Sequence, residues 1–236
     1  MHELDSFFLQ GSHPKTDVFM WFSFLDVPGD PHTITHDVGE ASDGQGMYRC
    51  QIMTSWPYRA GFRGHDKPIE MPGSKEEKLA LMKEFAKDFT EPFKRVIQNI
   101  PSESEVKEVY LADWLPRATS TTALGHELGG RVVLVGDAAH AMVMYRGEGA
   151  NHSIVDVGRL IDLLEPFIKV NVSDEQWQDA TQQYEEEMIE RTAVAVLASR
   201  QACMDAHDYK RLHDKSPLVR RRLMRADLEE VEASRR

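Results

Sequence analysis

Cysteine is nearly absent from this chain. The two that occur in 236 residues, Cys50 and Cys203, make neither a disulfide framework nor a zinc pattern, and read as buried free thiols of a reducing compartment. Long apolar runs are lacking too: no stretch approaches the roughly 18 residues of a membrane helix. The opening MHELDSFFLQ has no basic segment followed by an apolar one, so no secretory signal is expected. A cytoplasmic protein without a membrane span is the expectation. Positive charge is in deficit, with 28 Lys and Arg against 39 Asp and Glu and a net charge of -11. That balance argues against nucleic acid as a partner, which calls for a basic face. The basic cluster Arg220, Arg221, Arg222 and Arg225 is interleaved with Asp227, Glu229 and Glu230 and reads as a solvated helix face. Metal ligation has little to build on. His32 and His36 are four apart, but Pro31 and the β-branched Thr33, Ile34 and Thr35 oppose the helix that would align them. No metal is expected.

Also missing is a strand leading into G-x-G-x-x-G and a helix, the device that cradles a dinucleotide pyrophosphate. Gly44 and Gly46 have no strand before them and no helix after them. What is present is a hydrophobic fraction of 41%, enough for a sizeable core in one or two domains. Residues 1–17 are polar, with Gly11, Ser12, His13 and Pro14 marking a turn, and read as loop. Residues 17–25 (DVFMWFSFL) are apolar and aromatic, a strand by composition. Residues 27–46 form an irregular connection rich in Gly and Pro. Residues 47–56 alternate and read as a second strand, antiparallel to the first. Trp56, Tyr58, Arg59, Phe62 and Arg63 follow. Aromatic faces and guanidinium groups can hold an aromatic or enolic substrate; sheet-edge packing is the preferred reading for each of them singly.

Residues 74–98 read as a helix. Ser74 with Glu77 makes a capping box, Leu79, Met82, Phe85, Ala86 and Phe89 recur at helical spacing, and Pro92 breaks or kinks it. Residues 106–111 read as a strand, ended by Asp113, whose expected role is a turn cap rather than a catalytic base. The centre of the chain is residues 130–164. Residues 131–135 are an apolar, β-branched run of the kind buried on both faces of a parallel sheet. Gly136 ends that run and Asp137 follows, placing a carboxylate at the carboxyl end of a strand, where open α/β sheets keep their ligand crevice. A small-residue turn then leads to Gly147, Gly149, Asn151 and a helix with Ile154, Val157, Leu160, Ile161 and Leu164 at apolar positions. Glycines before a helix start let backbone amides approach an electron-rich ligand. A second long helix opens at residues 173–175, with Trp177, Ala180, Tyr184, Met188, Ile189, Val194, Val196 and Leu197 inward and Glu185, Glu186, Glu187 and Glu190 outward.

The order GDAAH, then GEGAN and a helix, resembles the second flavin-binding motif of the FAD-dependent aromatic hydroxylases, the family typified by para-hydroxybenzoate hydroxylase and salicylate hydroxylase. MYRGEGANH, the DW-x-P segment at Asp113 and QACMDAHD resemble its fungal secondary-metabolism subgroup. The resemblance implies FAD as cofactor, with NAD(P)H as reductant. It implies that Asp137 meets a ribitol or ribose hydroxyl, that the amides of Gly149, Ala150 and Asn151 face the pyrimidine edge of the isoalloxazine, and that Gly136 and Gly147 belong to the same cofactor-binding set. His140 and His152 would shape the loop, and no catalytic side chain is assigned, since the cofactor carries the chemistry. The implied reaction is NAD(P)H-driven oxygen insertion into an aromatic or unsaturated small molecule, of polyketide or terpenoid type.

The fold expected is an α/β mix in three parts. Residues 1–118 form a substrate-type sheet with one long helix, 119–168 a partial FAD-binding segment of a Rossmann-like domain, and 169–236 a helical region. The amino-terminal βαβ dinucleotide unit has no counterpart, so a truncated or split enzyme is expected, active as part of a longer product or with a complementary amino-terminal polypeptide. The alternative is a non-catalytic binding module or homo-oligomer derived from such an enzyme.

Overall fold

A computed structural model describes residues 8–26, 49–118, 131–168, 170 and 172–220. The chain divides into two units, Met1–Val109 with Ala206–Lys210, and Tyr110–Asp205 with Arg211–Arg236. The expectations for residues 27–46, His32, His36, Gly44 and Gly46 included, and for Arg221, Arg222 and Arg225, lie outside the described residues.

The first unit is built on three antiparallel strands in the order β1 (Phe8–Ser12), β2 (Phe19–Asp26) and β3 (Arg49–Ser55). β2 and β3 lie where composition puts them and pair antiparallel, Phe19 opposite Ser55 and Trp21 opposite Met53. β1 corrects the reading of residues 1–17 as loop: it pairs with β2, Gly11 opposite Met20 and Ser12 opposite Phe19. An edge strand needs a ladder partner more than an apolar sequence of its own.

Val18 and Met20, two residues apart and almost fully buried, pack in one core with Phe85 and Ala86 of α1 (Lys75–Ala86), Ile97 of α2 (Phe93–Gln98) and Phe89 between the two helices. The Phe85 ring packs against Trp56 at 5.2 Å and Phe62 at 5.9 Å. Each fully buried side chain of this size stabilises by about 1.5–3 kcal/mol. Ser74 caps α1 as its spacing predicts: Oγ accepts from the Glu77 amide at 3.2 Å, and the Glu77 carboxylate accepts from the Ser74 amide at 3.3 Å. The helix read over 74–98 is broken ahead of Pro92, as that proline predicts, into two helices separated by residues 87–92. Pro92 has no amide to continue the ladder. Across the sheet, Ser12 Oγ donates to the Ala206 carbonyl at 2.8 Å and His207 Nε2 meets Ser55 Oγ at 2.9 Å. The strand expected at 106–111 is absent: these residues carry no regular structure, and Val109, Tyr110 and Leu111 are exposed. Apolar composition makes a strand only where another strand is there to pair with it.

The second unit contains α3 (Asp137–His140), α4 (Gly149–Leu164) and α5 (Asp174–Ala206), with 3-10 turns at Met144–Arg146 and Glu165–Phe167. Residues 131–135, expected as a strand buried on both faces, have no ladder partner among the described residues and are not a strand. One face is covered: Val133 and Val135 pack against the cluster of Ala139, Tyr184 and Met188. The other is not, since Val132 is 39% and Leu134 42% exposed. A hydrogen bond from the Tyr184 phenol to the Leu134 carbonyl, 3.0 Å, ties the segment to α5.

α5 is the long helix expected from residue 173 onward, and its buried line runs through Tyr184, Met188, Thr192, Val196 and Ser199. Two details differ from expectation. Glu185 points inward, 4% exposed, and Val194 and Leu197 point outward, 70% and 48% exposed. The helical step of about 100° per residue explains both: it sets Glu185 near the Met188–Val196 line and turns residues 194 and 197 away from it. Among the described residues no helix is long and apolar enough to cross a membrane.

Candidate functional site

The segment 131–135 delivers the chain to Gly136, whose backbone sits at φ 60° and ψ −139°. Only glycine adopts that conformation without strain, and a Cβ there would also meet Ser153 Oγ at 2.8 Å. The tight turn lets the Ala139 and His140 amides donate to the Gly136 carbonyl at 2.8 and 2.9 Å. Asp137 thereby becomes the first residue of α3, with its side chain exposed, while Ala139 and His140 are buried behind it.

The chain returns through Met144–Arg146 and Gly147, left-handed at φ 62°. Gly149 then opens α4, a sixteen-residue helix. No side chain caps α4, so the amides of Gly149, Ala150 and Asn151 are intrahelical orphans. Glu148, just before them, is neutralised by a two-pronged pair with Arg146: Nε to Oε2 at 2.7 Å and Nη2 to Oε1 at 2.8 Å. Arg146 Nη1 also donates to the Pro217 carbonyl, strapping the loop to the carboxyl-terminal segment. A Cβ on Gly149 would stand 3.7 Å from Asp137 Oδ1. The two motifs, twelve positions apart in sequence, are therefore adjacent in space. An exposed carboxylate that accepts from hydroxyls lies beside helix-start amides that donate to electron-rich atoms. This donor set fits a ribityl or ribose hydroxyl and the electron-rich edge of a flavin.

Beneath this surface lies a group the sequence reading missed. Asp156 is fully buried and is the only buried residue that α4 contributes. Its Oδ2 accepts from the Gly136 amide at 2.8 Å and lies 2.7 Å from His140 Nε2; its Oδ1 accepts from Arg191 Nη2 at 2.7 Å. Burial pushes the carboxyl up, but the hydrogen bonds from Arg191, Gly136 and His140 outweigh it and hold Asp156 below its ordinary value. Arg191 also binds Glu187 through Nε at 2.8 Å and meets His152 Nδ1 at 3.1 Å. Burial and then the Arg191 charge press His152 below its ordinary value. Burial, reinforced by the Asp156 charge, raises the Tyr184 phenol. The available signal was a lone acid at Asp156 among Ile154, Val155 and Val157. Of the apolar residues expected along α4, Leu160 packs against Ala139, Tyr184 and Met188 and Leu164 is half-buried, whereas Ile154, Val157 and Ile161 are 71%, 50% and 54% exposed.

The remaining candidates have structural partners. Arg59 pairs with Asp17 at 3.0 Å, and Arg63 pairs with Asp88 while lying 5.4 Å over the Phe85 ring. Phe62 is in the core, and the Trp56 indole donates to the Ile69 carbonyl at 3.1 Å. Asp113 is paired with Arg200 rather than capping a turn. Burial raises both cysteine thiols, against a lowering hydrogen bond from Tyr145 at Cys203.

Residues 86–202, which contain this whole arrangement, match the family described as FAD binding domain. The chain is also similar to fungal FAD-dependent monooxygenases. It is 42% identical over 224 residues to a probable FAD-dependent monooxygenase of Arthroderma benhamiae, covering 94% of this chain and 49% of that protein. An FAD-dependent monooxygenase of Aspergillus terreus is 33% identical, covering 69% and 37%. One of Emericella nidulans is 36% identical, covering 68% and 36%. The chain spans about half the length, or less, of these curated relatives. No solved structure matches it.

Proposed function

We propose that this chain is the carboxyl-terminal portion of an FAD-dependent monooxygenase that inserts one oxygen atom into an aromatic or unsaturated small molecule of polyketide or terpenoid type, with NAD(P)H as reductant. The observation that carries the reading is the placement of Asp137 Oδ1 beside Gly149 at the uncapped start of α4. Gly136 and Asp137 would hold a hydroxyl of the cofactor chain, and Gly147, Gly149, Ala150 and Asn151 would line its pyrimidine edge. When bound, FAD supplies the redox and oxygen chemistry. The protein's share is to orient the ring, offer fixed N–H dipoles where negative charge develops, and exclude water. None of these tasks requires a nucleophilic side chain.

Activity of this portion calls for a complementary amino-terminal polypeptide. The support is the segment 131–135, which has no ladder partner among the described residues and leaves Val132 and Leu134 exposed. A second strand beside it and a cover for that face would complete a parallel sheet buried on both sides. A cytoplasmic location fits a reducing compartment and an NAD(P)H supply. The test is to co-express the chain with the amino-terminal half of the Arthroderma benhamiae relative. Co-purification with bound flavin and NADPH-dependent oxygen uptake supports the reading; two halves that stay separate and colourless contradict it.

A second reading, a non-catalytic module that self-associates, is favoured by the outward apolar residues of α4. Sedimentation of the purified chain tests it: a stable dimer lost on Ile154→Glu supports this reading, and a monomer rejects it.

A further inference from the structure

We propose that Asp156 is a positioning residue for Asp137: from beneath the turn it fixes both Gly136 and His140, so that the exposed carboxylate between them is presented beside the first amides of α4. The inference rests on the flavin reading above and names what keeps that half-site in shape.

The geometry singles out Asp156 in three ways. First, one oxygen, Oδ2, serves both ends of the turn, the Gly136 amide at 2.8 Å and His140 Nε2 at 2.7 Å. Asp137 is the first of the residues between those anchors, so one buried atom joins the Gly136 amide to the His140 ring, beside the Ala139 and His140 amides that close the turn on the Gly136 carbonyl. Second, Oδ1 is engaged by Arg191 at 2.7 Å. The same guanidinium holds Glu187 and His152, which makes α5 the fixed frame to which the turn is referred. Third, His140 is fully buried and its Nδ1 has no hydrogen-bond partner among the described residues, so the bond to Asp156 is the polar contact that sets the ring.

A helix that needed only packing here would carry an apolar residue, because a buried ion pair is often no more stabilising than a hydrophobic replacement. What an apolar residue cannot do is accept from the amide of a glycine held at φ 60° and from a histidine at once. Those two bonds are the geometric information in the site. Asp137 would itself meet the ligand's hydroxyl; Asp156 acts through it.

The test uses the full chain, with Asp156→Asn, Asp137→Ala, the double variant, and Arg191→Lys as a milder disturbance of the same network. In the flavin-free chain, hydrogen exchange of amides 136–141 rises in Asp156→Asn and in Arg191→Lys, while exchange in α1 of the other unit is unchanged. In FAD titrations, Asp156→Asn weakens binding about tenfold, and in the Asp137→Ala background it weakens binding no further, the non-additivity expected of residues acting as one unit. Unchanged exchange at 136–141, or losses that simply add in the double variant, would overturn the proposal. A wild-type chain that binds no FAD sinks the flavin reading instead. The exchange arm then still decides whether Asp156 sets the turn.

Discussion

With its backbone at φ 60° and Ser153 Oγ 2.8 Å from any Cβ placed on it, Gly136 admits another residue only with backbone strain and a shift of the Ser153 side chain. Gly136→Ala should therefore cost about 1–3 kcal/mol, read as a lowered thermal midpoint; an unchanged midpoint would mean that the turn is not as tight as described. The buried network makes a second residue-scale prediction. His152 is held below its ordinary value, so near that value the unfolded chain binds more protons than the folded one. Stability is then lost as pH falls through about 6.5, the ordinary histidine value, and the loss is complete below the folded value. Asp156, depressed despite burial, contributes stability above the ordinary carboxylate value that is lost as pH falls through its lower folded value. Urea midpoints measured from about pH 8 to pH 5 should decline, and His152→Gln should flatten that decline. An equal slope in the variant would assign the decline elsewhere.

The elements differ in how much of them local sequence decides. The start of α1 is written in Ser74 and Glu77, and Ser74→Ala should lower stability by about 1 kcal/mol. Phe85 is 1% exposed and packed on Trp56 and Phe62; Phe85→Ala should cost about 3–5 kcal/mol by chemical denaturation. A loss below half that range would show that the core collapses around the gap. α1 and α5 were legible because capping residues and 3.6-residue periodicity act within one segment. β1 was not, because its cause is β2, which lies across a turn and supplies the pairing. Residues 131–135 show the opposite failure: the apolar run is evident in sequence, but a ladder requires a second strand. In the candidate site, motif order points to Asp137 and Gly149, which the fold brings side by side, and Gly136 is legible because its positive φ is a local backbone need. Asp156 and Arg191 were not, because one acid and one base on separate helices carry no spacing signal that links them. The exposure of Ile154, Val157 and Ile161 on α4 has the same origin. Periodicity reports that a helix has an apolar side, not which side its surroundings cover.

On the scale of the whole molecule, a unit built on a three-stranded sheet and its helical core is followed by the unit that holds the candidate site, in which residues 131–135 have no ladder partner among the described residues. The chain spans about half the length of its Arthroderma benhamiae relative, and Val132, Leu134, Ile154, Val157 and Ile161 are exposed. If a complementary polypeptide covers Leu134, Leu134→Glu should abolish co-purification with it while leaving the thermal midpoint of the chain alone within about 0.5 kcal/mol of wild type. Retained association would place the contact elsewhere. The central claim, that Asp137 beside Gly149 is one edge of a flavin site, is tested most directly by equilibrium titration of the purified chain with FAD, followed by flavin fluorescence, for wild type and Asp137→Ala. The account predicts saturable binding by wild type, and binding weaker by on the order of tenfold to a hundredfold in the variant, the loss of one hydrogen bond to a charged group. Equal affinities, or no binding by either protein, would contradict it.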